Sequence, residues 1–569
     1  MCISMLAKAD NDKYCHINQS DYSLISLTLK SGDLTTTTIA TDSGMHTLVS
    51  IDGFFPSGDV GNPNLPVLSR TIEIPLCGKV NYRIVSQKTK TYSAEELGIN
   101  HPIYPVQPPH SKSEDGPFPL VKNNKTYSQN AFYSNNIIEI EKIGIARNTN
   151  LANVYFSPIK YNPVSNQLTI TTEIEIEITF AESNISATRQ MKRLHSSPAF
   201  SVKADVANAI EKDAYTTGPQ RYLIVSHASF RGELDSLVEW KKRKGFLVDI
   251  VYTDDAAVGN TTTSIQNYLK KQYDDATLEM PAPTYVLLVG DVAQIPPFDS
   301  RVSSSAMNDH ITDLYYFTWT DGDIIPDCYF GRFSAENVNH LRPQVEKTLM
   351  YEQYRMSDPS YLDKALIVAG EDGGYQGDHG YTHADPVIHY LQDNYVNSNY
   401  GYTSVVSYYN PASSTASAEN GVYNALSNGV GFANYTAHCN YSNWSTPNFN
   451  TTDVSNMKNT EKFGLMIGNC CLSNKFDVGA CLGEALLRKG DYRGAVGYIG
   501  GSNSTYWDQD YWWAVGVRSI NTSTCPTPTY MANKLGAYDR LFHTHNESYA
   551  DWYTSNGAII MAGNMAVQQ

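Results

Sequence analysis

The sequence lacks long apolar runs and has little positive charge. No stretch of its 569 residues approaches the roughly 18 consecutive apolar residues that a membrane-spanning helix needs, so we predict no membrane span. Asp and Glu number 58 against 42 Lys and Arg, which gives a formal net charge of −16. This charge makes nucleic-acid phosphates and anionic membranes poor partners, and it favours a cationic ligand.

The amino terminus, MCISMLAKADNDKYC, also lacks the uninterrupted apolar core of a signal peptide. The chain nevertheless contains 40 tyrosines and long segments rich in Asn, Ser and Thr, a composition that resembles secreted and surface proteins. We therefore expect a secreted or cell-surface protein whose export signal is not present in this chain.

Cysteine is scarce as well, with nine residues at positions 2, 15, 77, 328, 439, 470, 471, 481 and 525 and no C-x-x-C spacing. This pattern disfavours both a zinc knuckle and a disulfide framework. Cys470 and Cys471 are adjacent, and neighbouring cysteines cannot easily bridge each other without strain. We expect at least one of them to remain a thiol.

The chain is long enough for two to four domains, and 41% apolar residues allow large cores. Residues 20–185 are typical of strands, most clearly the alternating segment QLTITTEIEIEITF at 167–180. After a polar connector at 195–220, short apolar runs alternate with amphipathic helices in two successive series. Such alternation predicts parallel sheets that are covered on both faces.

The predicted fold class is therefore an α/β catalytic region with two parallel-sheet subdomains, preceded by an all-β domain. The predicted boundaries are 1–212 for the β-domain, 213–355 for the first α/β subdomain and 356–569 for the second. In parallel sheets of this kind, functional residues collect where strands end and loops begin.

Three chemically capable residues follow predicted strands of the second subdomain: Asp372, His438 and Cys471. A thiol attacks carbonyl carbon only as a thiolate, or when a base removes its proton, and a carboxylate can orient that base. Taken singly, a buried Cys or His is more often structural than catalytic. Together, the three residues make a nucleophile, a base and an orienting acid geometrically possible.

Four segments occur in the order FANYTAH at 432–438, FGLMIGNCC at 463–471, CLGEALLRKG, and GYIGGSNSTYWDQDYWWAVG at 497–516. Together they resemble the gingipains, secreted bacterial cysteine peptidases with a caspase-like fold, and most of all their lysine-specific branch. The similarity extends from about residue 213 to 569, and the preceding β-domain resembles the inhibitory prodomain of the family.

The resemblance implies that Cys471 is the nucleophile and His438 the base or proton donor. Asp372 matches the carboxylate that orients the histidine, with Glu371 as the nearby alternative. The oxyanion donors are implied to be the amides of Cys471 and Cys439, although the family has glycine at the latter position. We also consider an oxidised Cys439–Cys471 pair as an inactive state.

A peptidase that cuts after a basic residue needs a carboxylate or a ring of oxygen atoms at the end of an apolar pocket. The segment TYWDQD offers Tyr506 and Trp507 as walls. The resemblance implies that Asp510 faces the substrate ammonium and that Thr436 and Asn469 contribute oxygens, which favours lysine over arginine. From the sequence alone, a solvated surface turn is the favoured interpretation of this segment.

Asp321, Asp323 and Asp327 have a spacing that can surround a calcium ion with oxygen ligands, although the EF-hand pattern is absent. The segment resembles a calcium loop of the gingipains, in which the carbonyl of Ile325 joins the carboxylates. We expect a structural Ca²⁺.

A metallohydrolase is disfavoured, even though His379, His383 and His389 lie close together in sequence and HTH follows at 543–545. The first of these histidines lies in a glycine-rich context, and no H-E-x-x-H motif is present.

A β-domain ahead of a peptidase predicts a zymogen with its own prodomain as inhibitor. Lys212-Asp213 falls where the family has its prodomain junction, and cleavage there agrees with lysine specificity. The predicted function is a secreted cysteine endopeptidase acting on proteins or peptides with lysine at the cleavage position. The alternative is a catalytically inactive relative that acts as a surface adhesin or binding protein, which Cys439 in place of glycine keeps open.

Overall fold

The computed structural model describes most of the chain. The described residues are 12–114, 118–200, 202, 206–208, 218–299, 311–320, 323–373, 382–518, 527–531, 535–547 and 552–568. The predicted cleavage residues Lys212 and Asp213, together with Asp321 and His379, lie outside these ranges.

The amino-terminal region is built from antiparallel strands. One sheet has the order β1-β2-β11-β10 with β7 paired to β11, a second has the order β5-β6-β9-β8, and β3 and β4 form a hairpin. The strands are β1 (Cys15–Ser20), β2 (Leu24–Lys30), β3 (Leu34–Thr41), β4 (Gly44–Ile51), β5 (Phe55–Ser57), β6 (Leu65–Ile74), β7 (Lys79–Ser93), β8 (Ile138–Ala146), β9 (Thr149–Phe156), β10 (Ile159–Asn162) and β11 (Gln167–Ala181). Two helices accompany them, α1 (Asn124–Ser128) and α2 (Ile185–Leu194).

The alternating segment at 167–180 forms β11, as its pattern predicts. Ile174, Ile176 and Ile178 point into the core of this region, whereas the glutamates between them are more exposed. Burying one face of each strand in this way gives the region a hydrophobic core of its own.

The first α/β unit contains a parallel sheet with the order β13-β12-β14-β17. Its elements are β12 (Arg221–Ser226), α3 (Asp235–Arg243), β13 (Leu247–Tyr252), α4 (Thr262–Asp274), β14 (Pro283–Val289), β15 (Phe298–Asp299), β16 (Ile311–Thr312), β17 (Tyr329–Phe333) and α5 (Val338–Glu352). Leu223 and Val225 pack with α4 on one face, and Ile224 packs with α3 and α5 on the other. Both faces are therefore covered, which explains why these strands are apolar throughout.

The second α/β unit contains a parallel sheet with the order β19-β18-β20-β24-β25 and a small antiparallel sheet, β21-β22-β23. Its strands are β18 (Lys364–Ala369), β19 (Ser404–Tyr408), β20 (Phe432–Thr436), β21 (Cys439–Asn440), β22 (Asn443–Trp444), β23 (Phe449–Asn450), β24 (Leu465–Asn469) and β25 (Gly497–Gly500). The helices are α6 (Ala384–Asn394), α7 (Ala416–Asn428), α8 (Thr451–Asn456), α9 (Leu482–Arg488), α10 (Trp507–Val515), α11 (Ala537–Leu541) and α12 (Asn556–Gln568).

The predicted fold class is confirmed: strands dominate the amino-terminal region, and two parallel sheets with helices follow. Within the described part of the chain, each helix is too short or too polar to cross a bilayer.

Candidate active site

The register of the second parallel sheet places the candidate catalytic residues at one edge. Ala369 of β18 pairs with Thr436 of β20, and Thr436 pairs with Asn469 of β24, so these three strands end at the same level. Asp372, His438 and Cys471 follow those positions by three, two and two residues. The local sequence therefore brings the three side chains to the carboxyl edge of one sheet, where parallel α/β folds place their sites.

Cys471 is a buried free thiol that faces the loop between β25 and α10. Its Sγ accepts a hydrogen bond from the backbone N–H of Thr505 at 3.3 Å and lies 3.6 Å from the Thr505 hydroxyl. The hydroxyl of Ser113, from the amino-terminal region, lies at the same distance of 3.6 Å from Sγ. The sulfur thus lies at a contact between the two regions of the chain.

The backbone of His438 is held in place by its neighbours. The carbonyl oxygen of His438 accepts hydrogen bonds from the Tyr435 hydroxyl at 2.7 Å and from the Ser445 N–H at 3.1 Å. Its ring contacts Trp507 edge to face, with 5.0 Å between the ring centroids. These contacts leave the imidazole against the aromatic wall of the site.

Asp372 is fully buried and caps the beginning of α6. Its Oδ2 accepts the backbone N–H groups of His383 and Ala384, whereas Oδ1 has no hydrogen-bond partner among the described residues. Oδ1 is thus a buried acceptor available for an imidazole N–H. The alternative carboxylate, Glu371, is exposed and accepts a hydrogen bond from the Ser414 hydroxyl at 3.3 Å.

Burial raises the pKa of Asp372 from 3.8 to about 7, against the opposing effect of the two amide N–H groups. A carboxyl group whose pKa is higher in the folded state stabilises the fold fully below about pH 4, and this stabilisation is lost as the pH rises to about 7.

Urea unfolding of a Cys471→Ala chain should therefore show a free energy of unfolding that declines over this pH range. Asp372→Asn should remove up to roughly 4 kcal/mol of that decline, whereas Asp393→Asn on α6 should leave it unchanged. If the free energy of unfolding depended on pH equally in Asp372→Asn and in the parent, a raised pKa of Asp372 would be contradicted.

Cys439 is bonded to Cys470, with 5.4 Å between the Cα atoms. The considered Cys439–Cys471 pair is therefore wrong, because Cys470 points into the core of the second unit while Cys471 remains free on the other side. Cys439 begins β21, pairs with Trp444 and does not have a positive φ. A residue other than glycine is consequently accommodated here without left-handed backbone strain.

The predicted specificity pocket contains a lysine from the amino-terminal region, Lys112, whose side chain is fully buried. Its Nζ lies 2.7 Å from Oδ2 of Asp510 and donates to the carbonyl oxygen of Asn469 at 3.2 Å. The ammonium also lies 4.8 Å from the ring centroid of Trp507, a cation–π distance. Asp510 therefore faces a lysyl ammonium in this structure.

The remaining predicted pocket residues support this carboxylate and carbonyl. The Thr436 hydroxyl donates to the carbonyl oxygen of Asn469 at 3.2 Å, so it acts on the ammonium only through that carbonyl. The Asn469 side-chain amide donates to the backbone carbonyl of Asp510 at 3.0 Å, and the Thr505 hydroxyl donates to its Oδ2 at 2.6 Å. These bonds fix the carboxylate beside the end of β24.

The backbone around Lys112 pairs with the loop ahead of α10. Ser111 forms an antiparallel bridge with Tyr506, and the N–H of Lys112 donates to the carbonyl of Thr505 at 2.9 Å. Such β-pairing is a common way to bind extended peptides. Since Ser113 also contacts Sγ of Cys471, residues 111–113 lie in the site as an extended peptide with a lysine in the pocket.

Lys112 is not among the site residues that the sequence predicts. It lies in the segment QPPHSKSEDGPFP, where Pro and Gly punctuate a polar loop. The available signal was one lysine within a proline-rich segment, in a chain whose predicted pocket accommodates lysine.

A second contact between the regions involves the predicted calcium loop. Asp323 accepts the N–H groups of Ile145 and Ile325, both at 2.6 Å, through its two carboxylate oxygens. Asp327 likewise accepts those of Arg147 at 2.8 Å and Trp319 at 2.9 Å. Burial raises the pKa of Asp323, and it raises that of Asp327 to about 8.

These aspartates have the oxygen chemistry of a calcium site, but each of their four carboxylate oxygens already accepts an N–H. Where the structure describes the chain, it contains no group of three or more His, Cys, Asp or Glu placed to hold a metal. The described part of the loop therefore does not fit a bound ion, and it serves instead as a contact for the turn between β8 and β9.

That turn is tightly fitted. Gly144 has φ +136, and a Cβ at this position would lie 2.6 Å from the Asp323 carboxylate. The guanidinium of Arg147 is buried and donates to the carbonyl oxygens of Ala282 at 2.9 Å and Pro283 at 2.7 Å. The contacts at residues 111–113 and at 144–147 thus both hold the amino-terminal region on the α/β units.

The histidines considered for a metal site have other surroundings. The His383 ring lies between Trp507 and Tyr511, and that of His389 stacks on Tyr409.

Comparison with known proteins agrees with this arrangement. The model of Peptidase family C25 matches residues 215–569, and that of the C25 propeptide matches residues 9–201. Lys-gingipain of Porphyromonas gingivalis is 35% identical over 93% of this chain and 30% of its own length. Gingipain R1 of Porphyromonas gingivalis is 25% identical over 86% of this chain and 48% of its own length.

The chain thus spans about a third of the length of the curated Lys-gingipain that it matches. A solved structure described as "Structure of Protease" is 37% identical, with a TM-score of 0.54, and the match covers 62% of this chain and 72% of the other. The resemblance to the gingipains is therefore confirmed, and this chain belongs to peptidase family C25, with the propeptide of that family ahead of its catalytic region.

Proposed function

We propose that this chain is the zymogen of a secreted cysteine endopeptidase that cleaves after lysine. The observation that carries the proposal is the contact of the Lys112 ammonium with Asp510 beside the free thiol of Cys471. The higher identity to Lys-gingipain than to Gingipain R1 supports lysine over arginine.

In the proposed reaction, Cys471 attacks the carbonyl carbon that follows the lysyl side chain while its proton passes to His438. The tetrahedral oxyanion is stabilised by the backbone N–H groups of Cys471 and Cys439. His438 then donates its proton to the leaving amine, which gives a thioester that water hydrolyses. Asp372 orients the imidazole through its Oδ1.

The pocket geometry supports the choice of a lysyl side chain. A compact ammonium can donate hydrogen bonds to oxygen atoms in several directions, here to one carboxylate oxygen and one carbonyl oxygen. Asp510 is largely buried, with 12% of its side chain exposed, so an uncharged side chain in the pocket would leave this carboxylate without a cation. The experiment is hydrolysis of matched peptides that differ only in having Lys, Arg or norleucine at the cleavage position. Equal rates for the three peptides would contradict the proposal.

Latency follows from the same contacts. Lys112 fills the pocket, and Ser111 and Ser113 occupy the adjoining backbone positions. We propose that the prodomain inhibits its own catalytic region in this way until the connector is cut. For the cleaved form we propose a structural Ca²⁺ at Asp323, Asp327 and the carbonyl of Ile325, because the N–H groups of Ile145 and Arg147 then no longer occupy one oxygen of each carboxylate.

Cleavage between Lys212 and Asp213 should accompany activation. Incubation of the purified chain is expected to generate a new amino terminus beginning at Asp213, because a lysine-specific site should accept the connector. Amino-terminal sequencing and the Cys471→Ala variant, which should stay intact, test this. Persistence of a single uncut wild-type chain would count against autocleavage.

A further inference from the structure

The Cys439–Cys470 disulfide joins two positions that flank the proposed catalytic pair. Cys439 directly follows His438, and Cys470 directly precedes Cys471. The bond therefore connects the loop after β20 to the end of β24. One covalent link thus fixes the backbone of the proposed base relative to that of the proposed nucleophile.

The two ends of this link differ in how firmly they are held without it. Cys470 is 1% exposed and packs in the core of the second unit. Cys439 is half-buried and lies in β21, a strand of two residues whose one partner among the described strands is β22. The core therefore holds the nucleophile end, whereas the histidine end is a short hairpin that gains most from a crosslink.

Noncovalent contacts hold that hairpin on the opposite side. Trp444 is fully buried and stacks on Tyr435, with 5.0 Å between the ring centroids, and Tyr435 donates to the His438 carbonyl. These contacts fix the hairpin to β20. The disulfide adds a covalent connection across to the end of β24, the strand that precedes Cys471.

We propose that Cys439–Cys470 is a positioning crosslink, which keeps the imidazole of His438 and the amide of Cys439 aligned with the sulfur of Cys471. This inference rests on the proposed cysteine-peptidase function. The active form then contains one oxidised cysteine pair next to one reduced nucleophile. The two crosslinked side chains do not contact the substrate: Cys439 acts through its own backbone amide and through His438, and Cys470 acts through Cys471.

A dithiol reductant should therefore have two opposite effects. At low concentration it returns an oxidised Cys471 to the thiol and activates the enzyme. At high concentration it reduces Cys439–Cys470: a reductant thiolate attacks one sulfur and releases the other as a thiolate, and its second thiol then closes the reductant into a cyclic disulfide. Two electrons pass to the protein, and two thiols remain.

The direct test uses the full chain, activated by cleavage, with Cys439→Ala, Cys470→Ala and the double substitution. We expect kcat to fall by about 10- to 100-fold, since misplacement of reacting groups by about 1 Å costs up to this much. KM should change by less than twofold, because the pocket at Asp510 is untouched. The matched control is Cys481→Ala, a buried free cysteine of the same unit, which should keep the parent kcat.

A merely structural crosslink would lower the urea midpoint and leave kcat and its pH profile unchanged in the folded fraction. That outcome would overturn the inference. Its failure differs from failure of the proposed function, in which the wild-type chain itself would hydrolyse no lysyl peptide.

If the variants do not fold, the wild-type chain supplies the second test. Its activity is measured across a dithiothreitol titration, and mass spectrometry after alkylation assigns the state of each cysteine. We expect kcat to rise and then fall, with the fall matching reduction of Cys439 and Cys470. A kcat that stays at its maximum while both cysteines become alkylated would contradict the crosslink.

Discussion

Asp510→Asn is expected to lower kcat/KM for lysyl peptides by about 100-fold or more, because it removes one partner of a buried ion pair. Asn preserves the size of the side chain and can still accept the hydrogen bond from the Thr505 hydroxyl. The loss should therefore be specific to the charge. A norleucyl peptide, which has no ammonium, should gain or keep its rate in the same variant.

The matched control is Asp508→Asn, which changes a half-buried carboxylate in the same turn of α10. It removes the same formal charge from the chain and should leave kcat/KM within about twofold, as is usual for substitutions away from a buried pair. Equal losses in both variants would show that general electrostatics, not the pocket carboxylate, attract the lysine.

Lys112→Ala is expected to open the site of the uncut zymogen. The parent buries this ammonium between Asp510, the Asn469 carbonyl and Trp507. Removing one partner of a buried ion pair costs roughly 3–5 kcal/mol. The backbone pairing of residues 111–113 remains in this variant. The rate at which a thiol reagent modifies Cys471 should therefore rise by about 100-fold.

The experiment needs a chain that stays uncut, so both the parent and the variant carry Lys212→Ala, and gel electrophoresis verifies their length. Lys122→Ala, on the same region but away from the pocket, is the control and should label at the parent rate. An unchanged labelling rate in Lys112→Ala would mean that the amino-terminal region covers Cys471 without help from the lysine.

Several parts of this arrangement follow from local sequence. Strands such as LIVAG and LMIGN are apolar on both faces, which predicts parallel strands between helices, and the carboxyl edge of the sheet then collects Asp372, His438 and Cys471. Alternation in β11 predicts the half-buried strands of the prodomain in the same way.

Other parts depend on contacts between distant segments and have no local signal. Alternation shows that Cys470 and Cys471 face opposite sides, but the partner of Cys470 is Cys439, which is 31 residues away. The pairing of Lys112 with Asp510 spans two regions of the chain. Asp323 and Asp327 match a cation loop by spacing, yet their oxygens accept N–H groups from the prodomain turn.

The most direct measurement is covalent labelling of the activated chain with a lysyl chloromethyl ketone, followed by mass spectrometry of the peptides. The geometry predicts a single adduct on Cys471, none on Cys470, and a loss of labelling in Asp510→Asn but not in Asp508→Asn. An activated chain that stays unlabelled, or that carries the adduct on another cysteine, would contradict the proposal that Cys471 attacks substrates held by Asp510.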